Sequence, residues 1–300
     1  MAYEQMMAVT APLIASAEAV AALAARMKLD ELGDVGDPDV RAALDRVVSA
    51  LTVPGLFDGL DETERRSMIG LVTSFLKQAL ELIENPGRSG GWVYTDSVVL
   101  QSQGQSSGAV PPLIASVAHT LDGLTDALAR EGARILDIGS GVAALSISCC
   151  RVWPQASVVG VDPWEPAMKL GVQNVSEAGL EDRITLRAIA IEDITDTDSF
   201  DLAWMPAPFL PRAVLESSVP VVARSLRPGG WLVLGRYAAP QGALPEALAD
   251  LRTVRGGGTP LSEDNAVALL ERGGLANVRS VPSEWMAPIR FVAGQRARLR

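Results

Sequence analysis

The stretch Ala133-Arg-Ile-Leu-Asp137-Ile-Gly139-Ser-Gly141-Val-Ala143 decides the fold. A short apolar run ends in a carboxylate, and glycines follow two and four positions later. This pattern is typical of a β-strand that turns tightly into a helix. Glycine there lets a ligand come close to the backbone, and the start of the helix directs amide groups at it. We therefore expect a nucleotide-like ligand at this turn.

Short β-rich runs alternate with helical stretches on the carboxyl side of this turn. The predicted strands are Arg134–Ile138, Ser157–Val161, Ile184–Ala188, Phe200–Trp204 and Trp231–Arg236, and the predicted helices are Val142–Val152, Glu165–Ala178, Pro211–Ser225 and Pro240–Thr253. A helix at Pro260–Arg272, with Thr259 as its cap, and strands at Ala276–Val281 and Pro288–Ala293 follow. Such alternation predicts an α/β fold with a mostly parallel sheet and helices on both faces.

A second carboxylate strengthens the expectation of a nucleotide ligand. The run Val158-Val-Gly-Val-Asp162 ends in an acid 25 positions after Asp137. An acid at the end of the second strand can accept hydrogen bonds from both hydroxyls of a ribose. A Phe200-Asp-Leu strand and a Pro228-Gly-Gly turn into a further strand come next.

Taken in order, these four motifs resemble the class I S-adenosylmethionine-dependent methyltransferases over roughly residues 133–236. The resemblance implies a Rossmann-like fold with seven strands, of which the last is antiparallel, and S-adenosylmethionine as the cofactor. It implies that the cofactor is bound by Asp137, Gly139, Ser140, Gly141, Asp162, Pro163, Trp164, Ile191, Glu192 and Met205. Among these, Asp162 would hold the ribose, and Trp164 would give the adenine a stacking surface.

The sequence departs from the family pattern at two places. Ala143 stands where a third glycine is common, and Ala190 or Ile191 falls where an aspartate often contacts the adenine. Backbone atoms near Ile191 or the Glu192 carboxylate are the replacements we expect. An NAD-binding enzyme is a competing interpretation, but its fingerprint would need glycine at Ala144.

The loop after the fourth motif strand limits the chemistry at the acceptor. Met205–Pro211 contains no histidine and no acid, which argues against a histidine base and against a metal site. Its apolar residues Trp204, Met205 and Phe209 would form a wall of the acceptor pocket, although Trp204 also fits a core position. The candidates for catalysis are Tyr94, Glu192 and Arg236, whereas His119, the single histidine, is interpreted as a surface or packing residue.

The first 109 residues are predicted to form a helical region separate from a cofactor-binding domain at 110–300. Asp61 and Glu64 can form a capping box, after which apolar residues make one helical stripe: Met68, Leu71, Val72, Phe75, Leu76, Ala79, Leu80 and Ile83. Residues 86–109 are turn-rich and polar, which suits either a linker or a lid over a pocket. We expect this region to act as a lid or as a homodimer surface.

Composition sets the outer limits on function. The net charge of −10 and the lack of a basic run other than Arg296–Arg298–Arg300 argue against a nucleic-acid partner. Adjacent Cys149 and Cys150 give no disulfide framework and are expected in a buried helix. The apolar stretch Ala8–Ala25 contains Glu18 and has no Lys or Arg before it, so neither a signal peptide nor a membrane span describes it well. These features predict a cytoplasmic protein.

The resemblance and the composition together predict a metal-independent enzyme of specialised metabolism that methylates O, N or C of a small molecule. Two alternatives stay open. One is a protein or peptide methyltransferase, which would present an open groove to its substrate. The other is a methyltransferase-like protein that binds a partner and transfers no methyl group.

Overall fold

A single seven-stranded sheet organises the carboxyl-terminal part of the chain, and its strand order is β3-β2-β1-β4-β5-β7-β6. The computed structural model describes residues 2–33, 35–51, 53, 55, 57, 59–238 and 242–298. The strands are β1 Arg134–Ile138, β2 Ser157–Val161, β3 Ile184–Arg187, β4 Phe200–Pro206, β5 Leu226–Tyr237, β6 Ala276–Val281 and β7 Ile289–Gln295. Neighbouring strands run parallel except β7, which is antiparallel to both β5 and β6. The predicted fold class is confirmed.

The order of the strands reverses at β1. The chain goes from β1 outward to β2 and β3, and then crosses back to place β4 on the other side of β1. In open α/β sheets, ligands bind at the carboxyl ends of the strands at such a switch point. Asp137, near the end of β1, pairs with Gly160 of β2 and with Trp204 of β4, so it lies at that point.

Helices cover both faces of the sheet and enclose two apolar cores. Their bounds are α5 Val110–Val117, α6 Leu124–Ala129, α7 Ala144–Val152, α8 Glu165–Glu177, α9 Arg212–Ser225, α10 Ala243–Gly256 and α11 Glu263–Arg272. Cys149 and Cys150 are buried in α7, as expected. Desolvation raises the pKa of both thiols, which keeps them protonated and inert.

Two of the predicted helices have different bounds in the structure. The helix expected from Pro260 begins at Glu263, because the Ser262 side chain, and not Thr259, accepts the backbone N–H of Asn265 at 3.2 Å. The single helix expected from Pro111 to Arg130 is divided into α5 and α6, since Gly123 between them takes a left-handed conformation. Pro240, the expected start of α10, and Arg300 lie outside the described residues.

By their contacts, residues 1–86 and 96–109 form a separate helical unit. It contains α1 Ala2–Leu32, α2 Pro38–Leu51, α3 Glu62–Glu84 and α4 Ser97–Ser107. The capping box of Asp61 and Glu64 is present at the start of α3 and is confirmed. Gly70 lets α3 and α4 approach closely, because a Cβ there would lie 2.6 Å from the Cβ of Gln105.

The two parts of the turn-rich region 86–109 have different structures and belong to different units. Its second part is not a flexible linker but helix α4, and Ser67 and Ser74 of α3 donate hydrogen bonds to Ser106 O and to Gln103 Oε1. Polar residues make this interface, so apolar periodicity gives no sign of it. By its contacts, Gly87–Thr95 groups with the sheet unit. The reason is local pairing, since the Gly91 N–H donates to Arg255 O at 3.2 Å.

Helix α1 is apolar and largely exposed. Of the described helices it alone is long and apolar enough to cross a membrane, and none of its most apolar 18-residue window is buried. The core helix of a soluble protein and a signal sequence pass the same test of length and composition.

Candidate active site

Asp137 is a buried carboxylate without a cationic partner among the described residues. Only 1% of its surface is exposed, and Ser146 Oγ donates to its Oδ2 at 2.6 Å. The backbone of Ser146, in the first turn of α7, also hydrogen-bonds to it, so Asp137 caps the helix that follows the glycine turn. Desolvation raises the pKa of this carboxyl to about 7, and the Asp162 charge adds to the effect, whereas the hydrogen bonds from Ser146 oppose it.

Asp162 follows β2 and is held from two sides by backbone N–H groups. Gly141 N donates to its Oδ2 at 2.9 Å, and Trp164 N donates to its Oδ1 at 2.7 Å. Desolvation raises the pKa of this carboxyl, and the two N–H groups moderate the rise. Each oxygen keeps acceptor capacity beyond its one bond, so the carboxylate is fixed in place and still able to accept.

The glycine turn acts through shape more than through amide donors. The N–H groups of Gly139 and Ser140 both donate to Val161 O, and that of Gly141 is used by Asp162. Gly139 and Gly141 have φ values of +68° and +52°, a left-handed conformation that disfavours side chains. Ala143 adopts the same region at +63°, which explains why a third glycine is common there and shows that this chain folds without it.

Trp164 and Tyr94 come together beside Asp162. The indole N–H of Trp164 donates to the Tyr94 carbonyl at 2.8 Å, which fixes the indole next to the acid. Both side chains are half-buried, and Pro163 between the acid and the indole is exposed. The segment Gly87–Thr95 therefore forms part of the site wall.

Aromatic rings continue from Tyr94 along the carboxyl edge of the sheet. The ring centroid of Trp92 lies 5.0 Å from that of Tyr94 and 5.4 Å from that of Phe209. The centroids of Phe209 and Tyr237 are 6.3 Å apart, and all three pairs are edge to face. Arg88 lies over the Tyr94 ring, 5.5 Å from its centre. We call Trp92, Tyr94, Phe209 and Tyr237 the aromatic wall.

The structure places other predicted residues away from this cleft. The Ser140 side chain is buried against Met168, and Met205 is fully buried in the core under α9 and α11. Trp204 packs in the opposite core, 5.6 Å from Phe291, which confirms its interpretation as a core residue. Strand alternation explains the pair, because successive side chains of β4 enter opposite faces. Of the three apolar residues expected in the acceptor pocket, only Phe209 lies in the aromatic wall.

The remaining candidates differ in exposure and in their partners. Ile191 is buried at the start of a short 3₁₀ turn, and Glu192 beside it is exposed. Arg236 Nη2 donates to Glu263 Oε2 at 3.0 Å. His119 is exposed on a 3₁₀ turn, as a surface residue would be.

Sequence reasoning missed Ser146, Trp92 and Tyr237 as members of the site. Ser146 could have been found, because a hydroxyl in the first turn of a helix commonly contacts a nearby acid. Trp92 and Tyr237 could not, since the contacts that join them to Phe209 link residues 117 and 28 positions apart in sequence (209 − 92 and 237 − 209).

Comparison with known proteins identifies the domain type. Residues 135–230 match the family described as "Methyltransferase domain". The ribosomal protein L11 methyltransferase of Sorangium cellulosum is 31% identical over 140 residues, which are 46% of this chain and 42% of that protein. The chain spans about half or less of the length of the curated relatives it matches.

Solved structures resemble the chain over nearly its full length. Human N-acetylserotonin methyltransferase in complex with SAM has a TM-score of 0.61 at 12% identity, covering 99% of this chain and 98% of the other. The mitomycin 7-O-methyltransferase MmcR has a TM-score of 0.58 at 18% identity, covering 99% and 98%. The resemblance to the class I methyltransferases is thereby confirmed at the level of domain and fold.

Proposed function

We propose, from the methyltransferase domain at residues 135–230, that this chain transfers a methyl group from S-adenosylmethionine to an O, N or C atom of a small molecule. The observation that carries the proposal is the Asp162 carboxylate, which Gly141 and Trp164 hold in place beside a glycine turn at the switch point. This arrangement supplies acceptors where a ribose would bind.

The residues present fit that cofactor. Asp162 has remaining lone pairs for two ribose hydroxyls, and the Trp164 indole is fixed beside it for the adenine. A cationic ligand would stabilise the charged form of buried Asp137, which has no cation of its own among the described residues. Gly139, Ser140 and Gly141 would let the ligand approach their backbone, and Pro163, Ile191, Glu192 and Met205 stay predictions for the cofactor site.

Catalysis would rest on positioning and on exclusion of water. When bound, S-adenosylmethionine supplies a methyl carbon that its sulfonium already makes electrophilic, so alignment of the acceptor provides much of the rate. The aromatic wall would hold the acceptor and keep water away. Tyr94, whose hydroxyl lies 3.5 Å from Arg88 Nη2, together with Glu192 and Arg236, is our candidate for orienting the acceptor. The proposal uses no metal, since the loop Met205–Pro211 has no acid.

A protein methyltransferase is the second candidate, favoured by the relatives that match in sequence. The small-molecule function is preferred because the structures that match over the whole chain include enzymes named for N-acetylserotonin and mitomycin. Incubation with radiolabelled S-adenosylmethionine separates the candidates. Label that appears in proteins of a bacterial lysate and not in small-molecule fractions would favour the second.

The helical unit is proposed to form a homodimer of a cytoplasmic enzyme of specialised metabolism. Its α3 exposes Met68, Leu71, Phe75, Leu80 and Ile83, which together would be costly to leave in water. Sedimentation at micromolar concentration should give a dimer that Ile83→Glu weakens and that Glu84→Gln, one residue away and exposed, does not. A monomeric wild-type protein would contradict this part.

Calorimetric titration with S-adenosylmethionine and S-adenosylhomocysteine tests the main proposal. We expect micromolar binding to the wild type, at least a hundredfold weaker binding to Asp162→Ala, and no change in Asp250→Asn, which alters an exposed acid of α10. If the folded wild-type protein binds neither compound, the cofactor proposal is wrong. If both bind and no acceptor is methylated, the chain is a binding protein.

A further inference from the structure

Two arginines lie side by side at the carboxyl end of β5. Arg236 and Arg290 are directly opposite each other in the antiparallel pairing of β5 with β7. Opposite residues of such a pair project to the same face of the sheet, so both guanidinium groups share one face. Like charges in these positions repel, which makes the pair costly for a purely structural role.

The charges of this pair are incompletely neutralised. Arg236 is 15% exposed at its side chain and pairs with the half-exposed Glu263. Its Nε is buried and has no acceptor among the described residues. Arg290 Nη1 donates to the carbonyls of Ala287 and Ile289, and none of the described carboxylates forms an ion pair with it. Among the described residues, Glu263 is the one carboxylate that pairs with either arginine, and it pairs with Arg236.

The arginine pair lies at the same edge of the sheet as the glycine turn. Pro206 of β4 pairs with Gly235 of β5, and the Pro206 ring is 3.5 Å from the point where a Cβ of Gly139 would be. Adjacent strands are about 4.8 Å apart, so Arg236 is roughly 10 Å from the glycine turn. Tyr237, the next residue of β5, belongs to the aromatic wall and projects to the opposite face of the sheet from Arg236.

We propose that the acceptor carries a carboxylate that binds to Arg236, with Arg290 adding positive charge. This inference rests on the proposed function and specifies its substrate class. The orphaned Nε supplies a donor for the carboxylate, since a guanidinium binds carboxylates through two parallel N–H groups. A carboxylate also removes the cost of leaving a buried Nε unsatisfied.

Matched probes that differ only in charge test this proposal. We would titrate 4-hydroxybenzoate and 4-hydroxybenzamide, and the 6-hydroxy-2-naphthoate and naphthamide pair, into wild-type protein with and without S-adenosylhomocysteine. We expect each acid to bind at least about tenfold more tightly than its amide, because hydrogen bonds to charged groups are stronger than those between neutral groups. Equal affinities, or no binding of any probe, would overturn the inference.

Substitutions locate the preference. Arg236→Gln should abolish the difference in affinity between acid and amide. Arg236→Lys keeps the positive charge and should retain part of that difference, and it serves as the test variant if Arg236→Gln folds poorly. Glu263→Gln, which removes the competing carboxylate, should strengthen acid binding several-fold. Arg212→Gln is the control, because Arg212 forms a similar ion pair with Glu216 at the exposed start of α9.

Two outcomes separate this inference from the proposed function. If folded Arg236→Gln still binds the acids more tightly than the amides, the carboxylate site is wrong. That outcome leaves the cofactor proposal intact, because it does not depend on S-adenosylhomocysteine binding. If the wild-type protein binds the acids but does not bind S-adenosylhomocysteine, the cofactor proposal is wrong instead.

Discussion

The two ends of the sheet treat buried aspartates in opposite ways. At the amino end, Asp201 at the start of β4 accepts from the guanidinium groups of Arg130 and Arg227 and from the backbone N–H of Arg134 at 2.9 Å. At the carboxyl end, Asp137 and Asp162 have only neutral donors among the described residues. All three acids lie in motifs that resemble those of the class I methyltransferases, yet only the two at the carboxyl end lack a cationic donor among the described residues.

The comparison is most severely tested by Asp201→Ala. Removing one partner of a buried ionic network typically costs 3–5 kcal/mol, and we expect a loss of about 3 kcal/mol because Arg130 is half exposed. Urea denaturation measures it. The folded variant should bind S-adenosylhomocysteine as the wild type does. Weaker S-adenosylhomocysteine binding by a variant that is fully folded would mean that the amino end of the sheet contributes to the site.

At the opposite end, Asp137→Asn should have the opposite sign. Asparagine can still accept from Ser146 and removes the cost of a buried charge, so we expect the unfolding free energy at pH 8 to rise by about 2 kcal/mol. The same variant should bind S-adenosylmethionine less tightly. A destabilised variant would show that Asp137 is a structural acid like Asp201.

The pH dependence of stability should reveal the same group. The folded-state pKa of Asp137 is raised from 3.8 to about 7, so the folded chain binds more protons than the unfolded chain between these values. Its contribution to stability is therefore full below about pH 4 and is lost as the pH rises toward 7. The difference in unfolding free energy between Asp137→Asn and wild type should grow over this window. A difference independent of pH would contradict the assignment.

Trp164→Phe should have the smallest effect. It removes the hydrogen bond to the Tyr94 carbonyl and keeps an aromatic ring, so we expect a loss of about 1 kcal/mol in stability and a few-fold weaker cofactor binding. Trp231→Phe is a poor control because its ring is fully buried, whereas Trp285→Phe also loses one indole bond to a carbonyl, that of Ile289. If Trp164→Phe and Trp285→Phe weaken cofactor binding equally, Trp164 has no specific role in the cofactor site.

The fold was predictable because its signals are local. Each strand of the β1–β5 region is a short apolar run, and Asp137, Gly139, Gly141 and Asp162 occupy fixed places at the ends of two of them. The site was predictable only to the extent that a residue acts through its position at a strand end. Ser140 follows β1 and Met205 lies near the end of β4, but both side chains turn into the interior, which local sequence does not reveal.

What the sequence could not indicate depends on contacts between distant segments. Helix α4 packs on α3 through serine and glutamine, so its stretch reads as a polar loop when apolar spacing is the guide. The aromatic wall joins residues 92, 209 and 237, and the arginine pair depends on the register of β5 with β7. Only the assembled sheet places these residues together.

The buried acids at the carboxyl end also bear on how long the molecule survives. An unpaired carboxylate such as Asp137 lowers the unfolding free energy of the ligand-free chain, and a ligand that binds only the folded state restores it by mass action. Proteases attack transiently opened chains, so degradation should slow as ligand concentration rises. In a cell, the supply of the ligand would then set the abundance of the protein as well as its occupancy.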